Sequence, residues 1–308
     1  MERSPENSAR QVPILAAAMD CDTGRLKTLT EGLSQADLGQ KAPGDTGGRP
    51  ALHWAIQEGC DAGVDVLLEA GADPNLEADS SHSFGSTPLV YAAYGARREM
   101  VRRLLARGAD PHVRSGRDQL TPLFAAAASG DPEIVRVLLS QGLDASDTGR
   151  DGLTPLHYGV PFPEVVRILV ANGADVNAGD RSGTTPLMWL RSRDMDRVDV
   201  RESLRLLLAA GADLHARNRT GMTPLLSAVQ SEDPVAVRAL LEAGADVNAR
   251  DRSGQTSLAI VREHRQRPRG FLRMLVRTFS SDLRESEEAE LAVLDEVESL
   301  LADAGGQL

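Results

Sequence analysis

Apolar residues recur along the chain in short clusters whose spacing fits helices. In the clearest copy, Leu225 and Leu226 follow Thr223-Pro224. After a polar break at Ser231-Glu232-Asp233-Pro234, Val237, Leu240 and Leu241 fall at i, i+3 and i+4 along one face. Thr223 can cap the first helix with its hydroxyl, and Pro224 fits the first turn, where no backbone donor is needed. Gly244 supplies the left-handed residue that ends the second helix. The pattern predicts a helix–turn–helix followed by an extended loop, Gly244-Ala245-Asp246-Val247-Asn248. Its apolar faces are too large to leave in water and too small to close on themselves, so such a unit must stack on copies of itself.

Those copies are present. Thr-Pro recurs at Thr87-Pro88, Thr121-Pro122, Thr154-Pro155 and Thr185-Pro186, with Pro50-Ala51 and Thr256-Ser257 as degenerate versions. The predicted helix-ending glycines are Gly71, Gly108, Gly142, Gly173, Gly211 and Gly244, and all but Gly142 open Gly-Ala-Asp. Thr121 and Thr154 are 33 residues apart. With Thr154-Pro155-Leu156-His157 and Gly173-Ala174-Asp175-Val176-Asn177, this spacing resembles the ankyrin repeat family over roughly residues 46 to 260. The resemblance implies an all-α ankyrin-repeat solenoid of stacked helix–turn–helix units joined by extended hairpin-like loops. It also implies a protein-binding module, although fold alone does not assign function.

The expected organisation is a disordered start plus an N-terminal cap repeat over 1–45, six repeats over 46–255, and a C-terminal cap over 256–308. Ile14 to Ala18 with Leu26, Leu29 and Leu33 read as a helix pair without the repeat signatures, as suits an end unit. Repeat one carries a loop four residues longer than the family spacing, around Asp79 to His82. Repeat four is two residues short at Gly159 to Pro163, and repeat five is five residues long around Arg193 to Arg197. After Thr256-Ser257 the final cap helix, marked by Leu294, Val297, Leu300 and Leu301, arrives about 27 residues late. Between them lies a basic stretch, Arg262 to Arg277, then an acidic run from Glu285 to Glu298. The basic stretch reads as an extra amphipathic helix folded over the end of the array, or as a docking element for a partner.

Bulk properties narrow the function classes. A net charge of −11 disfavours nonspecific nucleic-acid binding as the main role. Lysine is confined to Lys27 and Lys41, which reads as codon bias in a GC-rich, bacterial genome. Cys21 and Cys60 fall near the turns of adjacent units, and stacked helices lie roughly 8–10 Å apart, too far for unstrained disulfide geometry. Free thiols, a reducing compartment and a cytoplasmic protein are therefore expected. Neither a secretory signal nor a run of membrane-spanning length is visible, so no membrane association is expected.

No catalytic, cofactor or metal site is expected. His53 and His157 sit at the fourth position of the Thr-Pro-Leu-His motif, which in the family bonds backbone between repeats. His112 and His215 take the loop position held elsewhere by Asn75, Asn177 and Asn248, and no histidine has ligand spacing with a partner. The Gly-Ala-Asp aspartates recur because a turn recurs.

Two patterns remain as candidate partner-binding sites. Trp54, Tyr91, Tyr158 and Trp189 share one repeat position, immediately after the fourth motif residue, and Tyr94 lies three residues beyond Tyr91 on the same helix face. They either fill space between repeats or form a discontinuous aromatic ladder on the concave side, where such rings carry binding energy. Loop arginines, including Arg114, Arg117, Arg150, Arg181, Arg217, Arg219, Arg250 and Arg252, line up along one edge. Nearby Asp118, Asp151, Asp180 and Asp251 could neutralise them, or the strip could steer acidic segments into the groove. The candidate binding set is Trp54, Tyr91, Tyr94, Tyr158 and Trp189 with Arg117, Arg150, Arg181, Arg219 and Arg252. The sequence thus predicts a non-enzymatic recognition module, monomeric on its own, for a protein with an acidic surface segment. A dedicated inhibitor or immunity-type partner of one enzyme or toxin, and a nucleic-acid-binding array using the loop arginines, are the alternatives.

Overall fold

A computed structural model describes residues 12–41, 48–79, 87–117, 119–192, 199–266 and 281–307, side chains at 265, 266 and 281–291 excepted. The chain divides into two compact units, residues 1–155 with 171–174, and residues 156–170 with 175–308. Each is all-α among its described residues, and each has the ankyrin-repeat solenoid architecture of stacked helix pairs.

In the first unit, α1 (Pro13–Met19) and α2 (Thr23–Thr30) precede a short α3 (Gln35–Leu38). Paired helices follow: α4 (Ala51–Gln57) with α5 (Asp61–Glu69), α6 (Pro88–Tyr94) with α7 (Arg98–Ala106), and α8 (Pro122–Ser129) with α9 (Pro132–Ser140). First helices stack in one row, α1 on α4 on α6 on α8, and second helices in another, α2 on α5 on α7 on α9. The second unit comprises α10 (Pro155–Gly159), α11 (Pro163–Ala171), a 3₁₀ turn (Pro186–Trp189), α12 (Val200–Ala209), α13 (Pro224–Gln230), α14 (Pro234–Glu242), α15 (Ser257–Gln266) and α16 (Ser281–Asp303). Here the 3₁₀ turn, α13 and α15 form one row, and α12, α14 and α16 the other.

The local chemistry follows the motif. Thr87 caps its helix by accepting from the Val90 N–H (3.4 Å) and Thr223 from the Leu226 N–H (3.3 Å), whereas Thr121 and Thr185 make no side-chain capping bond. Each second helix turns its apolar face inward, so Val64 and Leu67, Val101 and Leu104, Val135 and Leu138, and Val237 and Leu240 are buried. Gly244, at φ 91°, then takes the left-handed cap that a side chain would strain.

Asparagine joins successive loops. Asn177 donates to the Gly211 carbonyl (2.9 Å) and accepts from the Asp213 N–H (2.9 Å). Asn75 makes the same pair with Gly108 and Asp110. Asn248 does so with Gly305 and Gln307, which places the turn after α16 where a Gly-Ala-Asp turn belongs. Helix α16 packs on α14 and pairs with α15, with Leu294, Val297 and Leu301 buried. The delayed C-terminal helix therefore completes a repeat of the ordinary kind. The basic stretch from 267 on, the repeat-five insertion at 193–198, and most of the start, the linker and the repeat-one loop tip lie outside the described residues.

Two expectations are corrected. Cys21 and Cys60 form a disulfide, with Cα atoms 5.5 Å apart. The interaxial distance was the wrong ruler, because both cysteines sit beyond helix ends, Cys21 in the α1–α2 turn and Cys60 at the N-cap of α5. The inference of a reducing, cytoplasmic setting from free thiols loses its basis. In repeat five the predicted first helix shrinks to the 3₁₀ turn. The Ser192 N–H and hydroxyl both donate to the Asp233 carboxylate, drawing the chain off the helical path just after Leu190 turns extended (ψ 116°).

Candidate functional site

The five aromatic residues divide by environment. Trp54 is only 1% exposed, and its indole N–H is buried without an acceptor. The Arg49 guanidinium lies 3.9 Å above its ring. Arg49 occupies the position before the first helix that Leu120 and Met222 fill with buried side chains in other repeats, so its stem also turns inward over Trp54. Trp54 is therefore core, and the expectation that it anchors a partner is corrected. Tyr91 is half-buried, meeting the His53 ring edge-on at 5.2 Å, and Tyr94 is 56% exposed. In the second unit, Tyr158 and Trp189 are both half-buried and meet at 5.5 Å, with His157 edge-on to Trp189 at 5.9 Å.

These contacts show why the position is aromatic. The imidazole at the fourth motif position supports the ring of the next repeat, His53 under Tyr91 and His157 under Trp189. His157 also donates from Nε2 to the Thr184 carbonyl (3.0 Å), the inter-repeat bond expected of it. Space filling thus accounts for part of each of these rings, while Tyr94 is exposed, Tyr158 and Trp189 are half-buried, and Tyr91 is half-buried with its hydroxyl inside.

The loop arginines also divide in two. Arg114 donates to the carbonyls of Gln119 (3.2 Å) and Thr148 (3.0 Å) and pairs with Asp147. Arg217 donates to the Gly221 (3.1 Å) and Arg250 (2.5 Å) carbonyls, and Arg250 to the Gly254 carbonyl (2.9 Å). Arg114 and Arg217 thus tie one loop to the next, and Arg250 closes its own loop. Arg117, Arg150, Arg181, Arg219 and Arg252 sit instead at the tips and are exposed. In the second unit the tips stack through backbone, the Arg219 N–H donating to the Ser182 carbonyl (2.7 Å) and the Arg252 N–H to the Thr220 carbonyl (2.9 Å). The fit is close: a Cβ on Gly221 would lie 2.7 Å from the Arg252 nitrogen.

Asp180 and Asp251 direct their carboxylates to loop backbone and a loop hydroxyl. Asp180 accepts the N–H groups of Ser182 and Thr184 at 2.7 and 2.8 Å. Burial pushes the Asp251 carboxyl up, but bonds from the Ser253 hydroxyl and the Gln255, Ser253 and Gly254 N–H groups outweigh it and hold the carboxyl below its ordinary value. Among the described residues, Arg117, Arg150, Arg219 and Arg252 make no ion pair, whereas arginines of the second-helix row are paired across repeats. Arg98 bonds Asp131 (2.7 Å), Arg103 bonds Asp65, Arg167 bonds Glu202 (3.2 Å), Arg201 bonds Glu242 (3.1 Å) and Arg238 bonds Glu296 (2.9 Å). The distinction was available in sequence, because Arg114, Arg217 and Arg250 lie two residues after the stitching Asn or His position and the tip arginines lie further on.

Among the described residues no cluster of three His, Cys, Asp or Glu side chains could hold a metal, and no helix is long and apolar enough to cross a membrane.

Comparison with known proteins agrees with this architecture. Models described as "Ankyrin repeats (3 copies)" match residues 89–180, 162–251 and 199–276, and one described as "Ankyrin repeat" matches 47–79. Protein PhlB of Serratia liquefaciens is 38% identical over 106 residues, 34% of this chain and 45% of that protein. A transient receptor potential cation channel subfamily A member 1 homolog of Caenorhabditis elegans is 32% identical over 148 residues, 48% of this chain but 11% of that protein. The chain thus spans less than half the length of these two relatives. A putative ankyrin repeat protein of fowlpox virus, FPV223, is 31% identical over 37% of this chain and 77% of its own length. Among solved structures, the human ASB11 ankyrin repeat domain aligns with a TM-score of 0.59 at 26% identity, covering 76% of this chain and 99% of that one. The chain belongs to the ankyrin repeat family.

Proposed function

We propose that this chain is a non-enzymatic recognition module, monomeric on its own, that binds an acidic segment of a partner protein along the loop tips and the exposed aromatic edges beside them. The observation that carries the reading is the unequal use of arginine. The second-helix row matches its arginines to carboxylates of the neighbouring repeat, while the stacked tips hold Arg219 and Arg252 exposed and, among the described residues, without an ion pair. Desolvating a carboxylate against a guanidinium held this way gives a short charge-assisted bond, and its long-range field raises the association rate. Tyr158 and Trp189 in the second unit, and Tyr91 and Tyr94 in the first, offer flat apolar edges of the kind that dominate binding energy.

The test is capture from native lysate by the wild-type chain, by Arg219→Glu/Arg252→Glu, and by Arg201→Glu on the second-helix row. Species held by wild type and by Arg201→Glu, but lost on tip reversal, support the reading. An identical set with all three contradicts it. A captured enzyme or toxin whose activity falls on binding would make the chain a dedicated inhibitor. Nucleic acid retained with a steep salt dependence would replace the protein partner.

A further inference from the structure

Repeat one carries two features at neighbouring positions, Cys60 and Gly63, that serve the same bond. In four second helices the N-cap is an aspartate that accepts backbone N–H groups: Asp22 from Arg25, Asp131 from Glu133 and Ile134, Asp199 from Glu202 and Asp233 from Ala236, whereas Arg97 of α7 makes no capping bond. In α5 that place is held by Cys60, which makes no capping bond. Three residues on, where α7, α9 and α14 bury Met100, Ile134 and Ala236, α5 has Gly63. Glycine in a helix interior is unfavourable. A Cβ at Gly63, however, would stand 2.7 Å from Cys60 Sγ and 3.2 Å from Leu26 Cδ1. The glycine makes room for the sulfur and for the side chain of α2 beside it. A cap and a core side chain are both given up where the Cys21–Cys60 bond crosses from the N-terminal helix pair to repeat one.

Helices α1 and α2 have seven and eight residues and bury Ile14, Leu15, Ala16, Ala17, Ala18 and Leu26. No asparagine of the Asn75 type lies between residues 31 and 41 to tie this unit to the next. The two sulfurs also differ in access, since Cys21 lies in an exposed turn while Cys60 is 2% exposed.

We propose that Cys21–Cys60 is a reversible redox latch governing whether the N-terminal helix pair stays docked on repeat one. A small dithiol attacks Cys21 through one thiolate, forming a mixed disulfide and expelling the Cys60 thiolate, which takes up a proton. The second thiol of the reagent then displaces Cys21, so the reagent is oxidised to its cyclic disulfide and the protein gains two thiols. Closing the latch reverses these steps with an oxidised thiol as acceptor.

The experiment is a trypsin time course on the full chain, oxidised with glutathione disulfide or reduced with dithiothreitol, followed by mass spectrometry. Arg25 and Lys27, exposed on α2, report undocking. The oxidised protein gives a peptide pair linked through Cys21 and Cys60, and reduction accelerates cleavage after Arg25 and Lys27 by about tenfold or more, while cleavage beyond residue 87 keeps its rate. Cys21→Ser cleaves at the reduced rate under both conditions. If that variant fails to fold, the wild-type comparison alone decides. Two free thiols after oxidation, or equal rates at Arg25 and Lys27 in both states, overturns the proposal.

Discussion

Replacing Trp54 by alanine removes a ring that is 1% exposed and covered by the Arg49 guanidinium at 3.9 Å. Emptying a buried tryptophan site costs about 3–5 kcal/mol through lost transfer energy and the cavity left behind. Part of that is offset, because the Trp54 indole N–H is buried without an acceptor, a penalty of about 1–3 kcal/mol that the substitution relieves. The net loss is about 2 kcal/mol, the difference between the middles of the two ranges. Trp54→Phe separates the two effects, since it keeps most of the ring and removes the orphan donor, and it is expected within about 1 kcal/mol of wild type. Trp189→Ala, at a half-buried site, is expected to cost less than Trp54→Ala. Urea unfolding followed by far-ultraviolet circular dichroism, with the slope checked for constancy, gives all three values. A loss below about 1 kcal/mol for Trp54→Ala would mean the ring is not core and the assignment of its burial to Arg49 is wrong.

Asn177→Ala deletes two inter-loop bonds at an exposed site, to the Gly211 carbonyl and from the Asp213 N–H, and is expected to cost about 1–2 kcal/mol in the same assay. Asp251 is held below its ordinary carboxylate value of 3.8, so the folded state binds that proton less readily than the unfolded chain. Its contribution is present in full above the unfolded value and is lost as pH falls through the lower folded one. Asp251→Asn should accordingly flatten the fall in stability below about pH 4, read from urea midpoints across pH, and an unchanged slope would remove Asp251 from the acid response.

The repeat was legible because its signals are local. A threonine, a proline and a glycine at fixed offsets dictate caps and a left-handed turn wherever they stand, and Leu294, Val297 and Leu301 marked α16 despite the long interval before it. What the sequence left open depends on what lies opposite. Trp54 and Trp189 occupy one repeat position, yet a guanidinium covers the first and a half-buried tyrosine flanks the second. The disulfide was missed because turns approach more closely than the axes of the helices they join. Repeat five lost its first helix to a distant carboxylate, Asp233, 41 residues further along the chain. Loop arginines looked alike until the carbonyls beside Arg114, Arg217 and Arg250 distinguished stitches from tips.

The central claim is that recognition happens at the stacked tips and not on the ion-paired second-helix row. The most direct measurement places a photo-crosslinking residue at position 219, and separately at 201, in the full chain exposed to native lysate. The account predicts a discrete protein adduct from position 219, abolished when Arg252 is also made Glu, and none from position 201. An adduct from position 201 with none from position 219 would contradict it.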